Sequence, residues 1–169
     1  FRCIPSLITM LQNCSDGREL EAGTYAAFAI SNIATDCSYH QRIVEEGAIE
    51  LLIALACCYD EEARRHALLS LRGLCGTKCN SQKMLQKGIL DPLILLSRSH
   101  DKDIVKEVSC ILNCLSSDDE NKEEISYRAM STLISLLMSG DDYVERHSCC
   151  AIANLLEMLD IHSRFIEER

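Results

Sequence analysis

The chain has 169 residues, with 26 Asp plus Glu against 17 Lys plus Arg, and a formal charge of −9. That excess of acid repels phosphate, and with no Trp and 5% aromatic residues there is little for bases to stack on, which argues against a nucleic-acid partner. Charges interrupt the apolar stretches too often for a membrane span, no secretory-signal pattern is present, and eleven cysteines, an odd number placed mostly in helical blocks, do not suit a secreted disulfide scaffold.

An apolar block opens the chain at Ile4-Pro5-Ser6-Leu7-Ile8 and returns at 49–53, 90–94 and 130–134. Leu7, Leu52, Leu93 and Leu133 share one phase, at spacings of 45, 41 and 40 residues. A second block of helical period follows each first one. It reads Ala26-x-x-Ala29-Ile30-x-Asn32-Ile33, Ala67-x-x-Ser70-Leu71-x-Gly73-Leu74, Val108-x-x-Ile111-Leu112-x-Cys114-Leu115 and Ser148-x-x-Ala151-Ile152-x-Asn154-Leu155. Each copy offers four positions for burial. A third, shorter element precedes the first block at 42–47, 83–88 and 164–169, so every unit is expected to hold a short, a medium and a long helix.

Local signals agree with this period. Gly47 and Gly88 suit a left-handed helix end, where a Cβ is penalised, whereas the third unit carries Arg128 at that place. Asp60, Asp101 and Asp141 lie thirteen residues before Gly73, Cys114 and Asn154. A carboxylate there caps free N–H groups of the long helix, worth roughly 1 kcal/mol each. Pro5 and Pro92 fall at the start of medium helices, where a missing N–H costs nothing.

Self-repetition at about 40 residues predicts an all-α, right-handed α-solenoid of about four units, a rod or curved array rather than a sphere. The units run approximately 1–37, 38–78, 79–118, 119–160 and 161–169, the first and last partial. The chain is therefore expected to be a piece of a longer array, whose cut ends would self-associate through apolar helix faces.

Three helices per unit, Gly-Ala-Ile-x-x-Leu-Ile-x-Leu at 47–55, and Ala-x-x-Ala-Ile-x-Asn-Ile or Leu in the long helix resemble armadillo repeats over essentially the whole chain. The resemblance implies long helices lining a concave groove that takes a polypeptide. In nuclear import receptors of this family it further implies an Asn that holds the peptide backbone and a Trp four residues earlier that packs on lysine stems. Here the Asn phase holds Asn32, Gly73, Cys114 and Asn154, and the Trp phase holds Phe28, Leu69, Cys110 and Cys150. This argues against a reader of nuclear localisation signals. The pattern resembles armadillo-only scaffolds of the vacuolar or apical-organelle adaptor type more closely.

A helical wheel at about 100° per residue places the positions four, seven and eight before the Asn phase on the exposed, groove-side face. At eight before stand Thr24, Arg65, Lys106 and Arg146; at seven before, Tyr25, His66, Glu107 and His147. Arg65, Lys106 and Arg146 make a basic lane on an acidic body, which selects an acidic partner segment. The competing reading pairs each cation with an acid one turn away, Glu61, Asp103 or Asp142.

The expected partner-binding set is therefore Tyr25, Phe28, Asn32, Arg65, His66, Leu69, Lys106, Cys110, Arg146, His147 and Asn154. No phosphate loop, glycine-framed serine or zinc helix is present, so neither enzyme activity, a cofactor nor a metal is expected. Most cysteines are expected to be reduced packing residues, with Cys110 or Cys114, beside Lys106, the place for a regulatory thiol. The function expected is a cytoplasmic protein-binding scaffold. Its alternatives are an organelle-positioning adaptor at the cytosolic face of a membrane, with a lipid anchor outside these residues, and a thiol or metal switch.

Overall fold

The computed structural model describes residues 2–15 and 19–157, with the side chain of Ser15 excepted. Among them are ten α-helices and no strand. They are α1 (Ile4–Ser15), α2 (Leu20–Ile33), α3 (His40–Glu45), α4 (Ala48–Ala56), α5 (Glu61–Cys75), α6 (Lys78–Gln86), α7 (Leu90–Leu96), α8 (Lys102–Ser116), α9 (Asp119–Leu137) and α10 (Asp142–Leu156). A 3-10 turn, Cys37–Tyr39, precedes α3. The expected short helix at 164–169, and with it the partial unit 161–169, lies outside the described residues.

Residues up to Pro92 form one compact unit and those from Leu93 a second, the division falling within α7. In the first, α2 packs on α1 and α5, and α4 on α1 and α5. In the second, α8, α9 and α10 pack on one another. The apolar repeat accounts for both cores: Ile30, Leu52, Leu71 and Leu74 are fully buried in the first unit, as are Leu93, Leu112, Leu133 and Leu155 in the second. No positive-φ residue other than glycine is needed anywhere among the described residues.

Helix ends follow the side chains available. Asp60 accepts from the N–H of Ala63, Asp101 from that of Asp103, and Asp141 from those of Tyr143 and Val144. Each carboxylate satisfies donors that a helix start leaves free. Glu19 stands at the same phase before α2 and makes no side-chain cap. Its extra methylene puts the carboxylate beyond the short reach that Asp has.

The far ends of long helices are closed by a device absent from the sequence expectations. Asn80 donates through Nδ2 to the carbonyl of Leu74 at 2.9 Å, and Asn121 to that of Leu115 at 3.2 Å. His40 Nε2 donates to the carbonyl of Ala34 at 2.8 Å. All three side chains are buried, and each reaches back six residues from the start of the next helix to a carbonyl at the end of the long one, that of Leu115 also taking the N–H of Asp118 at 3.4 Å.

At Gly47 and Gly88 the chain turns through φ of 84° and 79°. Gly88 closes a Schellman motif, with the N–H of Ile89 on the carbonyl of Met84 and its own N–H on that of Leu85. Where Arg128 replaces glycine, no turn forms. The expected short and medium helices of that unit are one 19-residue helix, α9, and the expectation of a short–medium–long triplet is corrected there. Between Asp119 and Leu137 there is neither Gly nor Pro to break it, and Arg128 Nη1 pairs with Glu124 Oε1 at 2.7 Å along the helix.

Candidate partner-binding face

The long helices α2, α5, α8 and α10 each turn four repeat positions inward. Fourteen of these sixteen side chains are buried, while Ala29 and Ile33 on α2 are half-buried. Ser70 occupies one such position on α5, and its hydroxyl donates to the carbonyl of Ala27 on α2 at 2.7 Å. The outward face follows by geometry, and its occupants differ between the two units.

In the first unit, Tyr25, Phe28 and Asn32 on α2 are exposed, and Arg65, His66 and Leu69 on α5 are half-buried. The rings of Phe28 and His66 lie 4.8 Å apart, tilted by 50°, an aromatic contact between neighbouring helices. His66 Nε2 stands 3.7 Å from Glu62 one turn earlier. Thr24 departs from expectation: it is buried, and its hydroxyl donates to the carbonyl of Leu20 at 2.9 Å. Gly73, at the Asn phase, has a packing reason. A Cβ built there meets Ala34 Cβ at 3.0 Å, so an Asn would press α5 away from the end of α2.

In the second unit, Lys106 and Cys110 on α8 are half-buried, as are His147 and Asn154 on α10, while Arg146 is exposed. Lys106 Nζ lies 3.7 Å from Asp103 and 3.9 Å from Asp141. Its acidic neighbours therefore include Asp103, as the competing reading has it, and in addition Asp141. These long, part-exposed contacts are weak and readily exchanged.

The same helices hold a polar cluster that sequence reasoning missed. Asn154 Nδ2 donates to Asn113 Oδ1 at 3.4 Å and to Ser116 Oγ at 3.1 Å. Asn113 Nδ2 in turn lies 3.3 Å from His147 Nδ1, and the His147 ring packs on Tyr143, centroids 4.4 Å apart. Both amide hydrogens of Asn154 are thus directed at α8, leaving its Oδ1 as the atom to meet a partner. Asn113 escaped notice because it sits one residue before the repeat phase. The signal that would have found it is the Asn113–Asn154 spacing of 41, one repeat length.

Among the described residues no group of three or more His, Cys, Asp or Glu side chains is placed to hold a metal ion. All eleven cysteines are free thiols. Their expected packing role is corrected: Cys75 alone is buried, and Cys3, Cys37, Cys57, Cys79, Cys149 and Cys150 are exposed. Helical period put them inside helices without fixing which face they take. Partial loss of solvent pushes the thiols of Cys14, Cys57 and Cys58 up, even though part of Cys57 is exposed, and the charge of Cys58 adds to this for Cys14 and Cys57. Fewer of these are thiolate at neutral pH, so they are less reactive than an ordinary cysteine.

The helix order, the repeat and the outward long-helix face define an α-solenoid of armadillo repeats, and this chain has that fold. An engineered protein of known structure matches 90% of it at a TM-score of 0.80 and 25% identity, over 62% of its own length. A designed armadillo repeat protein in complex with the peptide (KR)4 matches 90% at a TM-score of 0.80 and 23% identity, over 64% of its length. In sequence the chain is similar to vacuolar protein 8 of Schizosaccharomyces pombe, 26% identical over 97% of this chain and 30% of that protein. It is similar to importin subunit alpha-1b of Oryza sativa, 29% identical over 90% of this chain and 29% of that protein. No protein-family model matches the chain. The chain spans less than a third of the length of the curated relatives it matches.

Proposed function

We propose that the chain is a non-catalytic interaction scaffold holding a partner polypeptide along its long-helix face. The observation that carries this is the repeated outward phase: Tyr25, Phe28 and Asn32 are exposed and Leu69, Lys106, Cys110 and Asn154 only half-buried, in register with positions that build the core. Tyr25, Phe28, Leu69 and Cys110 offer apolar area, and His66 and His147 shape it through their ring contacts. Asn32 and Asn154 hold the partner's backbone, Asn154 by accepting an N–H on Oδ1. Arg65, Lys106 and Arg146 select an acidic segment. A designed armadillo repeat protein of similar fold is in complex with a peptide, (KR)4, which supports a peptide as the class of ligand.

Fluorescence anisotropy with acidic and basic extended peptides tests the reading. Changing Arg65, Lys106 and Arg146 to Glu should abolish binding of acidic peptides while the helical signal is retained. Binding by the parent should weaken with salt, since exposed charges are screened beyond about 8 Å at physiological ionic strength. Asn32→Ala should remove about 1 kcal/mol independently of salt. A peptide bound as tightly by the triple variant as by the parent would sink the lane.

Similarity to vacuolar protein 8 over 97% of this chain favours a second reading, an organelle-positioning adaptor in the cytoplasm. No described helix is long and apolar enough to cross a membrane; in this reading a lipid anchor outside these residues makes the attachment. Co-sedimentation of the full-length protein with organelle membranes tests it, and a wholly soluble pool would reject it.

A further inference from the structure

A cavity of about 540 Å³ opens in the second unit, between the 97–102 turn, the C-terminal half of α9 and the turn into α10. Small-molecule sites occupy roughly 300–1,000 Å³. Val105, Leu136 and Val144 supply apolar wall, and the remaining lining is dominated by hydroxyls.

Those hydroxyls divide by what their protons do. The N–H of Asp101 donates to Ser99 Oγ at 3.1 Å, and that of Asp141 to Ser139 Oγ at 3.3 Å, in two equivalent Ser-x-Asp turns. Each serine therefore accepts from the backbone and keeps its own O–H to donate. Ser97 and Ser135 spend theirs on the carbonyls of Ile94 and Ser131. Thr132 lines the cavity with 7% exposure, and its hydroxyl makes no hydrogen bond to another described residue. That hydroxyl is left free to donate into the cavity.

The charges point the same way. Arg98 and Lys102 border the cavity and make no ion pair with a described residue, in a chain where acids outnumber bases. Asp141 is the acid in the lining. Its Oδ1 is held by the N–H groups of Tyr143 and Val144, and its Oδ2 faces Lys106. Asp101 likewise caps α8 through the N–H of Asp103. The helix starts are therefore occupied by their own caps, and donors to a ligand must come from side chains.

We propose that this cavity binds the phosphate monoester of a small polar molecule. A phosphate dianion has three acceptor oxygens and no strong donor. The guanidinium of Arg98, the ammonium of Lys102 and the hydroxyls of Ser99, Ser139 and Thr132 supply more donors than the two oxygens of a carboxylate accept. The rest of the molecule lies on the hydroxyl and apolar walls. The ester belongs either to a soluble molecule or to a lipid headgroup.

An amide-resolved NMR titration with glycerol phosphate tests this on the 169-residue chain. Saturable shifts centred on Ser99, Thr132 and Gly140 are expected. R98Q/K102Q should weaken binding by about tenfold or more, and S99A/S139A should weaken it less. Arg98 and Lys102 are exposed, so an unchanged helical signal is expected to accompany the loss. Co-sedimentation with phosphatidic acid against phosphatidylcholine vesicles separates the sources. Pelleting that R98Q/K102Q loses assigns the lipid, and glycerol phosphate binding without pelleting assigns a soluble ester. Shifts that are absent or unsaturable, or a titration of R98Q/K102Q that overlays the parent's, would overturn the proposal.

Discussion

The junctions at Gly47 and Gly88 and the uninterrupted α9 occupy the same place in the repeat, yet they solve the backbone differently. In the first unit, short helices α3 and α6 end in left-handed glycines and medium helices begin one or two residues later. In α9, Arg128 stands at that phase and the helix runs through. A residue with a Cβ disfavours the left-handed turn, by roughly 1–2 kcal/mol, while in a helix it adds propensity and a salt bridge. The period of the array thus does not dictate its helix count; one residue per repeat does.

The sharpest way to break this contrast is to force a Cβ onto both glycines. Nothing lies within 4 Å of a Cβ built at Gly47 or Gly88, so their substitution isolates backbone strain from packing. Gly47→Ala with Gly88→Ala should lower stability by about 2–4 kcal/mol, read as a shift of the urea midpoint. A near-neutral double variant would mean that the first unit tolerates an α9-like fusion.

A second comparison uses the buried amides that close the long helices. Asn80→Ala strands the carbonyl of Leu74 in the interior, and Asn121→Ala takes the shorter of two bonds from that of Leu115, which keeps the N–H of Asp118 at 3.4 Å. A cost of about 1–3 kcal/mol is expected for each. Both bonds precede the junction, so glycine-hinged and fused units should lose similar amounts in urea titrations. A much smaller loss at Asn121 would show that α9 no longer depends on its amide latch.

What was legible in the sequence follows the same division. Burial along the long helices could be read because four apolar positions recur at one phase, and the aspartate caps because their reach is local. Arg128 was visible at the glycine phase, but periodicity alone does not say that two helices merge when the breaker is missing. The Asn80 and Asn121 latches and the Asn113–Asn154 contact depend on which carbonyl or amide a polar side chain meets, and that is set by packing between helices. Gly73 looked like a lost ligand and is instead a close approach to Ala34. Cysteine, small and ambivalent, fits core or surface, and here mostly took the surface.

The converse experiment introduces glycine where the helix is continuous. Arg128→Gly removes the Glu124 pair and places a flexible residue inside α9, for an expected loss of about 1 kcal/mol. Amide hydrogen exchange should then quicken around 126–132. If instead the variant matches the parent in stability and exchange, the identity of this residue is not what keeps α9 whole.

The smallest effect concerns how the two hinged junctions are tied together. Lys87, just before Gly88, reaches Glu50, just after Gly47, with Nζ and Oε1 2.7 Å apart and both side chains about half exposed. Burial raises the Glu50 carboxyl, but the hydrogen bond and charge of Lys87 outweigh it and hold the group below its ordinary value. A carboxyl depressed in the folded state adds stability above its unfolded pKa, about 4.3, and loses that contribution as pH falls through the folded value. Glu50→Gln should therefore cost no more than about 0.5 kcal/mol at pH 7, because solvent screens so exposed a pair. The gap between variant and parent should close as the pH is taken below about 4. Thermal melts at the two pH values, repeated in high salt, check this. A gap that persists in acid would assign the effect to packing of the Glu50 stem and leave the hinges held by glycine geometry alone.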